Sequence, residues 1–205
     1  MNLYKELQDK LTEHDPTEVD QLILDDVLGK FTTFSESNKK DLEKYTNLVH
    51  LSLNGKGIQS LKNFPKLENL QVLELRGNEL NGSDLSEIIK LYPNLYKLKV
   101  GENPIKSNAV FKVFKDGSLR KLELEGTEVS ETDGYREKLF ELCENLEIVD
   151  NETRDGDHAT TTNYEDDDEG EFDAEGEDGE DLEGEDEFDE YDDDDGGDDD
   201  VDDEE

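Results

Sequence analysis

An apolar signature that recurs four times between Leu48 and Val129 constrains the fold of this chain more than any other feature. Its fullest copy, L-x-x-L-x-L-x-x-N-x-L, runs from Leu70 to Leu80. The central leucines of the four copies are 22, 25 and 24 residues apart: Leu51, Leu73, Leu98 and Leu122. Such self-similarity at a nearly fixed period is typical of repeat arrays, in which each unit is stabilised by its neighbours.

Each copy divides its residues between a buried and an outward side. The two leucines of the short L-x-L strand share one face, because side chains alternate along a strand. The asparagine that follows, Asn78 or Asn103, is expected to bond backbone groups as the chain turns. An apolar residue then re-enters the core: Ile58, Leu80, Ile105 or Val129. Unrelated amphipathic helices are the alternative, but a helical period would not keep L-x-L apolar four times.

The pattern predicts an α/β fold, a right-handed leucine-rich repeat solenoid with a curved parallel sheet on its concave face. The repeats occupy residues 19–130, with Leu22 and Leu24 in a degenerate first copy. Between the strands we expect helix and irregular turns. Ser83 or Asp84 should cap the start of one helix, and residues 60–66 should hold a helical turn.

Both ends of the array carry patterns typical of caps, which shield the terminal repeats from water. An N-terminal capping helix is expected over residues 1–18, with a four-residue apolar spacing: Leu3, Leu7 and Leu11. A C-terminal cap is expected over residues 131–150. Its helix should bury Tyr135, Leu139, Leu142 and Cys143, and Leu146 and Val149 should supply a last strand.

Charge divides the chain into two regions. Residues 151–205 hold 32 acidic residues and one base, Arg154, whereas residues 1–150 have a net charge of only −8. A segment this acidic and poor in apolar residues cannot offset its ordering entropy, so we expect a disordered tail. The chain should avoid nucleic acid, because both are polyanions, and a monomer is expected.

The search for enzymatic chemistry finds no candidate. The sequence offers no histidine and cysteine spacing typical of a metal site, no Gly-rich phosphate loop and no nucleophile elbow, so we expect no enzyme, no metal and no cofactor. No stretch of apolar residues approaches the length that a membrane span needs. Two surfaces remain for protein partners.

The first surface is the predicted concave face, which curved solenoids use to bind proteins. A merely solvated face is the alternative. The candidate residues alternate with the buried leucines: His50, Asn54, Glu74, Arg76, Lys97, Lys99, Lys121 and Glu123.

The second surface is the acidic tail. A block of like charge is usually a solubilising appendage, but here aromatic residues stand directly among the acids. The two segments are Glu171, Phe172 and Asp173, then Glu187, Phe188, Asp189, Glu190, Tyr191 and Asp192. Such rings can enter an apolar niche of a basic protein while the flanking carboxylates pair with its Lys and Arg residues. Thr162, three residues before Glu165, is a candidate phosphorylation site for an acid-directed kinase.

The leucine-rich repeats, which we call the head, are followed by the C-terminal cap and the acidic tail. This order resembles the acidic leucine-rich nuclear phosphoprotein family. The matching stretches are Leu22 to Asp25, Pro65 to Leu67, Tyr92 to Leu95 and Tyr135 to Glu137. The resemblance implies a histone-binding chaperone and chromatin regulator whose tail shields core histones. It also implies an alternative, inhibition of a serine/threonine protein phosphatase through the head. Nuclear and cytoplasmic localisation are both expected, since the tail lacks a basic import cluster.

Overall fold

The computed structural model describes residues 15–159 except Leu28, Phe31 and Asp116. The apolar positions of the predicted N-terminal helix therefore lie outside the described residues. So do Thr162 and both acid and aromatic segments of the tail.

A seven-stranded sheet runs through the described part in strict chain order. Strands β1 to β6 are parallel, and β7 pairs antiparallel with β6. The bounds are β1 Gln21–Ile23, β2 His50–Ser52, β3 Val72–Glu74, β4 Lys97–Lys99, β5 Lys121–Glu123, β6 Ile148–Val149 and β7 Glu152–Thr153. This succession of short parallel strands, each followed by a returning link, confirms the leucine-rich repeat α/β solenoid.

The strand register places the signature leucines in one buried row. The Cα partners across the strands are Leu22, Leu51, Leu73, Leu98, Leu122 and Val149. Each of these side chains is at most 9% exposed. No single repeat could bury its leucine alone, so the row is stabilised only by stacking.

Four helices lie in the segments that link the strands. They are α1 Glu36–Leu42, α2 Gly82–Leu91, a 3₁₀ helix at Asn108–Phe114, and α3 Tyr135–Leu142. Their apolar residues join the signature leucines in one core cluster, so the helices cover the inner face of the sheet. No helix of the described part is long and apolar enough to cross a membrane.

The links differ from the sequence prediction at two places. Asn81, rather than Ser83 or Asp84, caps α2: its side chain accepts from the Ser83 N–H, and the Asp84 carboxylate accepts from the Asn81 N–H. The prediction overlooked it because all three residues are good capping types. Residues 60–66 form turns without helix.

Asn78 and Asn103 fulfil the predicted role at the turns. The Asn103 amide donates to the carbonyl oxygens of Leu75, Val100 and Gly101 at 2.9 to 3.0 Å, and its oxygen accepts from the Leu80 N–H at 2.9 Å. Asn78 makes the equivalent set one repeat earlier. Both side chains are buried, and each ties two adjacent repeats together.

The C-terminal cap extends past its predicted end at residue 150. Strand β7 follows directly, and Glu152 also bridges His158. The Arg154 guanidinium donates to four carbonyl oxygens at the end of α3 and after it, those of Phe140, Cys143, Glu144 and Leu146. Residues 151–159 therefore belong to the folded head, and the tail prediction must be corrected to begin after them.

The core of the cap also differs from prediction in one residue. Leu142 is 37% exposed, whereas Phe140, which the helical spacing did not place in the core, is 6% exposed. The Arg154 guanidinium lies 5.1 Å from the Phe140 ring centroid, so the ring is covered by a side chain from outside the predicted cap.

Candidate functional site

The outward side chains of β1 to β5, with the second residue after each strand, form a polar surface that we call the open sheet face. In β3, β4 and β5 the middle leucine is buried and its two neighbours are half-buried. The parallel register aligns these neighbours in two rows. The first row holds His50, Val72, Lys97 and Lys121, and the second holds Ser52, Glu74, Lys99 and Glu123.

All eight residues predicted for the concave face lie on this surface. Six occupy the two rows, and Asn54 and Arg76 follow β2 and β3 by two residues. Their charged groups form two clusters, one around Glu74 and one around Arg76.

Glu74 is the centre of the first cluster. Its Oε1 lies 3.3 Å from His50 Nε2 and 3.0 Å from Lys99 Nζ, and its Oε2 accepts from Asn54 Nδ2 at 3.1 Å. Hydrogen bonding to His50, with Lys99 and Asn54, lowers the pKa of the Glu74 carboxyl to about 2, although burial opposes the shift. The carboxylate is thus held ionised and oriented on the face.

Replacing Glu74 by Gln should lower the free energy of unfolding by about 2 kcal/mol at neutral pH. The folded-state pKa lies below the ordinary 4.5, so the ionised carboxylate stabilises the fold above about pH 4.5 and loses this effect as the pH falls toward 2. Urea denaturation of both proteins should therefore show a difference that shrinks between pH 7 and about pH 2.5. Glu79→Gln, at an exposed position, is the control. A constant difference would contradict the assignment.

Arg76 is the centre of the second cluster. Its guanidinium lies 2.8 Å from Glu102 Oε1, 2.6 Å from Glu123 Oε1 and 3.8 Å from Glu125 Oε2. Glu102 and Glu123 raise the pKa of Arg76, with the hydrogen bond to Glu102 as the largest cause. The sequence prediction missed Glu102, which lies three residues after β4 and outside the alternation with the buried leucines. Glu125, two residues after β5, continues that alternation, so the sequence places it on the same face as Glu123.

The sequence prediction also missed the polar residues beside β1. The Asp25 carboxylate accepts from Ser52 Oγ, the Asn54 N–H and Asn54 Nδ2. The buried Lys56 ammonium donates to the carbonyl oxygens of Asp25 and Val27. These contacts join residues about 30 positions apart, so only the folded register reveals them.

Lys97 and Lys121 lie side by side on adjacent strands, as Cα partners. The Lys121 ammonium lies 5.5 Å from the centroid of the Tyr96 ring, within the range of a cation–π contact. With Lys99 on the same face, these residues concentrate positive charge on β4 and β5.

The described residues hold no group of three or more side chains that could bind a metal ion. Cys143 is buried beside the 3₁₀ helix, and burial raises the pKa of its thiol to about 11. A thiol with this pKa is a poor nucleophile at neutral pH. This agrees with the prediction that Cys143 is a buried residue of the cap.

The comparisons with known proteins identify relatives by sequence. No family model matches the chain. It is 33% identical over 151 residues to an acidic leucine-rich nuclear phosphoprotein 32-related protein of Plasmodium falciparum (isolate 3D7), covering 73% of this chain and 53% of that protein. It is 35% identical over 109 residues to acidic leucine-rich nuclear phosphoprotein 32 family member A of Drosophila pseudoobscura pseudoobscura, covering 53% of this chain and 41% of that one.

The chain thus spans about half the length of the curated relatives it matches. Among solved structures, a chain of the Drosophila melanogaster SNF/U2A′ complex is 18% identical, with a TM-score of 0.49, covering 66% of this chain and 74% of that one. The sequence identity to the named relatives, rather than this structural likeness, carries the assignment. This chain belongs, through its leucine-rich repeats, to the acidic leucine-rich nuclear phosphoprotein 32 family.

Proposed function

We propose that this chain is a non-enzymatic protein-binding protein, and that its acidic segment after residue 159 binds core histones and shields them from DNA. The observation that carries the proposal is the charge of this segment: residues 160–205 hold 29 acidic residues and no Lys or Arg. Such a run of carboxylates imitates a nucleic-acid backbone and competes for the same basic residues. The names of the relatives support a nuclear location, where histones are the abundant basic partners.

The aromatic residues among the acids make the proposal more specific than general charge attraction. Phe172, Phe188 and Tyr191 each have acidic neighbours on both sides. Rings of this kind contribute apolar contact that salt does not screen, while the carboxylates supply contacts that salt weakens. We therefore expect histone binding to have a salt-sensitive part from the acids and a salt-insensitive part from the rings.

Truncation after Ala159 should abolish binding to core histones at physiological ionic strength. The truncated chain keeps β7 and Arg154, so the loss would not reflect damage to the cap. Isothermal titration of full-length and truncated protein with purified core histones measures the effect, with circular dichroism as a check of folding. Full retention of binding by the truncated chain would overturn the proposal.

A variant with Phe172, Phe188 and Tyr191 replaced by Ser serves as the second arm, because its net charge at neutral pH is unchanged. We expect it to bind histones several-fold more weakly than the wild type, by about the same factor at low and at high salt. Equal affinity of the variant and the wild type at every salt concentration would show that the tail binds histones through its charge alone.

Phosphatase inhibition is the second candidate and concerns the head. The observation that favours it is the open sheet face, where paired charges around Glu74 and Arg76 are held in fixed positions. Such a preorganised polar face is suited to docking a protein surface. The same truncation separates the two candidates, since the chain ending at Ala159 should lose histone binding but keep any inhibition of a serine/threonine protein phosphatase.

A further inference from the structure

The sequence contains two Asn-Gly pairs, Asn54–Gly55 and Asn81–Gly82, and the fold holds them in different ways. In such a pair the backbone nitrogen of the glycine can attack the side-chain carbonyl of the asparagine, because glycine has no Cβ to hinder the approach. We propose that Asn81 is a site of spontaneous deamidation in the folded protein, whereas Asn54 is protected by its contacts. The inference concerns the head and does not depend on the function proposed for the tail.

The reaction proceeds in two steps. The Gly82 nitrogen loses its proton to hydroxide and forms a bond to Cγ of Asn81, and the amide nitrogen takes up a proton and leaves as ammonia. Water then opens the resulting succinimide ring at either of its two carbonyl carbons. One opening gives aspartate, and the other gives isoaspartate, in which the backbone runs through the former side chain.

Asn81 lies at the start of α2, where its side chain is exposed. The Gly82 N–H belongs to the first turn of the helix, which offers it no partner, and no hydrogen bond among the described residues involves it. The Asn81 oxygen accepts from the Ser83 N–H at 2.8 Å and from Ser83 Oγ at 2.6 Å. These two donors draw electrons from Cγ, and no described hydrogen bond holds the amide nitrogen that leaves.

The attack also needs a rotation about the Cα–C bond of Asn81, whose ψ is −180°. This bond lies at a helix end, where the backbone frays and local opening costs least. Gly82 assists the movement, because glycine has more backbone freedom than any other residue. The position of Asn81 therefore gives the glycine nitrogen access to Cγ without unfolding of the head.

Asn54 is held by hydrogen bonds at both reacting groups. Its oxygen accepts from the Arg76 N–H at 2.8 Å, and the Gly55 N–H donates to the Arg76 carbonyl at 2.8 Å. Its amide nitrogen donates to three side-chain oxygens at 2.9 to 3.1 Å: Asp25 Oδ2, Ser52 Oγ and Glu74 Oε2. All of these bonds must open before the two groups of this pair can meet, so the folded register protects it.

The two products at Asn81 have different effects on α2. Aspartate is as good a cap as asparagine, and it adds a negative charge at the positive end of the helix dipole. Isoaspartate lengthens the backbone by a methylene group and moves the side chain out of the capping position. Deamidation therefore loosens the start of α2 through its isoaspartate fraction.

Incubation of the full-length protein at physiological temperature and mildly alkaline pH tests the proposal. Tandem mass spectrometry of the tryptic peptides 45–56 and 77–90 measures the conversion at Asn54 and Asn81, after subtraction of the zero-time digest. In the folded wild type Asn81 should convert at least tenfold faster than Asn54. In concentrated urea, where both sets of contacts are lost, the two rates should lie within threefold of each other.

Two alanine variants test the role of the glycine. Gly82→Ala should slow the conversion of Asn81 at least fivefold, because the added methyl group hinders the attack. The fold accommodates it, since a Cβ at Gly82 would lie 3.7 Å from Val110 Cβ, an ordinary contact. The control, Gly117→Ala, adds a methyl group with contacts of 3.6 to 3.9 Å and should leave the rate at Asn81 within twofold of the wild type. Circular dichroism melting confirms that all three proteins are folded.

Three results would overturn the proposal. These are no conversion of Asn81 in the folded wild type, equal rates at Asn81 and Asn54 in the folded wild type, or equal rates at Asn81 in the two alanine variants. No histone enters the assay, so its outcome is independent of the function proposed for the tail.

Discussion

Replacing Asn103 by Ala should lower the free energy of unfolding by about 3 kcal/mol, and the melting temperature by roughly 10 °C. The variant loses four hydrogen bonds inside the core, so the Leu80 N–H loses its Asn103 acceptor and the Val100 carbonyl loses its Asn103 donor. The carbonyl oxygens of Leu75 and Gly101 keep second donors, the Asn78 amide and the Gly77 N–H. A buried polar group without a partner retains its full desolvation cost, which is why the loss exceeds that of an ordinary hydrogen bond. Differential scanning calorimetry of the full chain measures it.

Two variants make this test specific. Asn145→Ala removes a single bond to the Gly117 carbonyl at an exposed position and should cost less than about 1 kcal/mol. Asn103→Thr should fall between the two, because Thr127 occupies the equivalent position in the next repeat, where its hydroxyl makes two hydrogen bonds: it donates to the Leu124 carbonyl and accepts from the Ser130 N–H. If the Asn103→Ala protein were as stable as Asn145→Ala, the buried hydrogen bonds of Asn103 would make no net contribution to the free energy of unfolding.

Truncation after Asp150 should leave the head about 2 to 3 kcal/mol less stable than truncation after Ala159. The shorter chain lacks β7 and Arg154, whose guanidinium bonds four carbonyl oxygens at and beyond the end of α3. A cation at a helix C-terminus also interacts favourably with the helix dipole. Urea denaturation of the two truncated chains measures the difference.

The contribution of Arg154 itself can be isolated in the full chain. Arg154→Ala should reproduce most of the loss, and Arg154→Lys should recover only part of it, because an ammonium group cannot reach all four carbonyl oxygens as the planar guanidinium does. Equal stability of the wild type and Arg154→Ala would assign the effect to the β7 pairing instead.

The fold was predictable because the buried leucines that determine it recur at a regular spacing in the sequence. Leu51, Leu73, Leu98 and Leu122 must share a buried row once each L-x-L is a strand, and the structure pairs them as Cα partners. The same alternation placed all eight predicted residues on the open sheet face. Periodicity reports which side a residue faces, so it located this surface without knowledge of the contacts.

Contacts between distant residues were not predictable in the same way. The acidic composition placed residues 151–159 in the tail. A window of mostly polar residues does not reveal that the Arg154 guanidinium donates hydrogen bonds to carbonyl oxygens at the end of α3 and after it. Glu102 has no periodic signal, whereas Asp25 and Glu125 continue the alternation with the buried leucines, which gives their face but not their partners. The contacts of all three depend on the registers that bring them beside Asn54 and Arg76. A single polar contact between distant residues leaves no pattern in the sequence, whereas apolar residues that are buried in every repeat do.

The position of Arg154 has a consequence for proteolysis. It is the only Lys or Arg residue beyond Lys138, so trypsin can detach the acidic segment from the folded head at a single peptide bond. The side chain that the protease must capture is held against Phe140 and the carbonyls that follow α3. Cleavage must therefore wait for this corner of the head to open, and the rate at which trypsin releases the acidic fragment reports directly on local unfolding there.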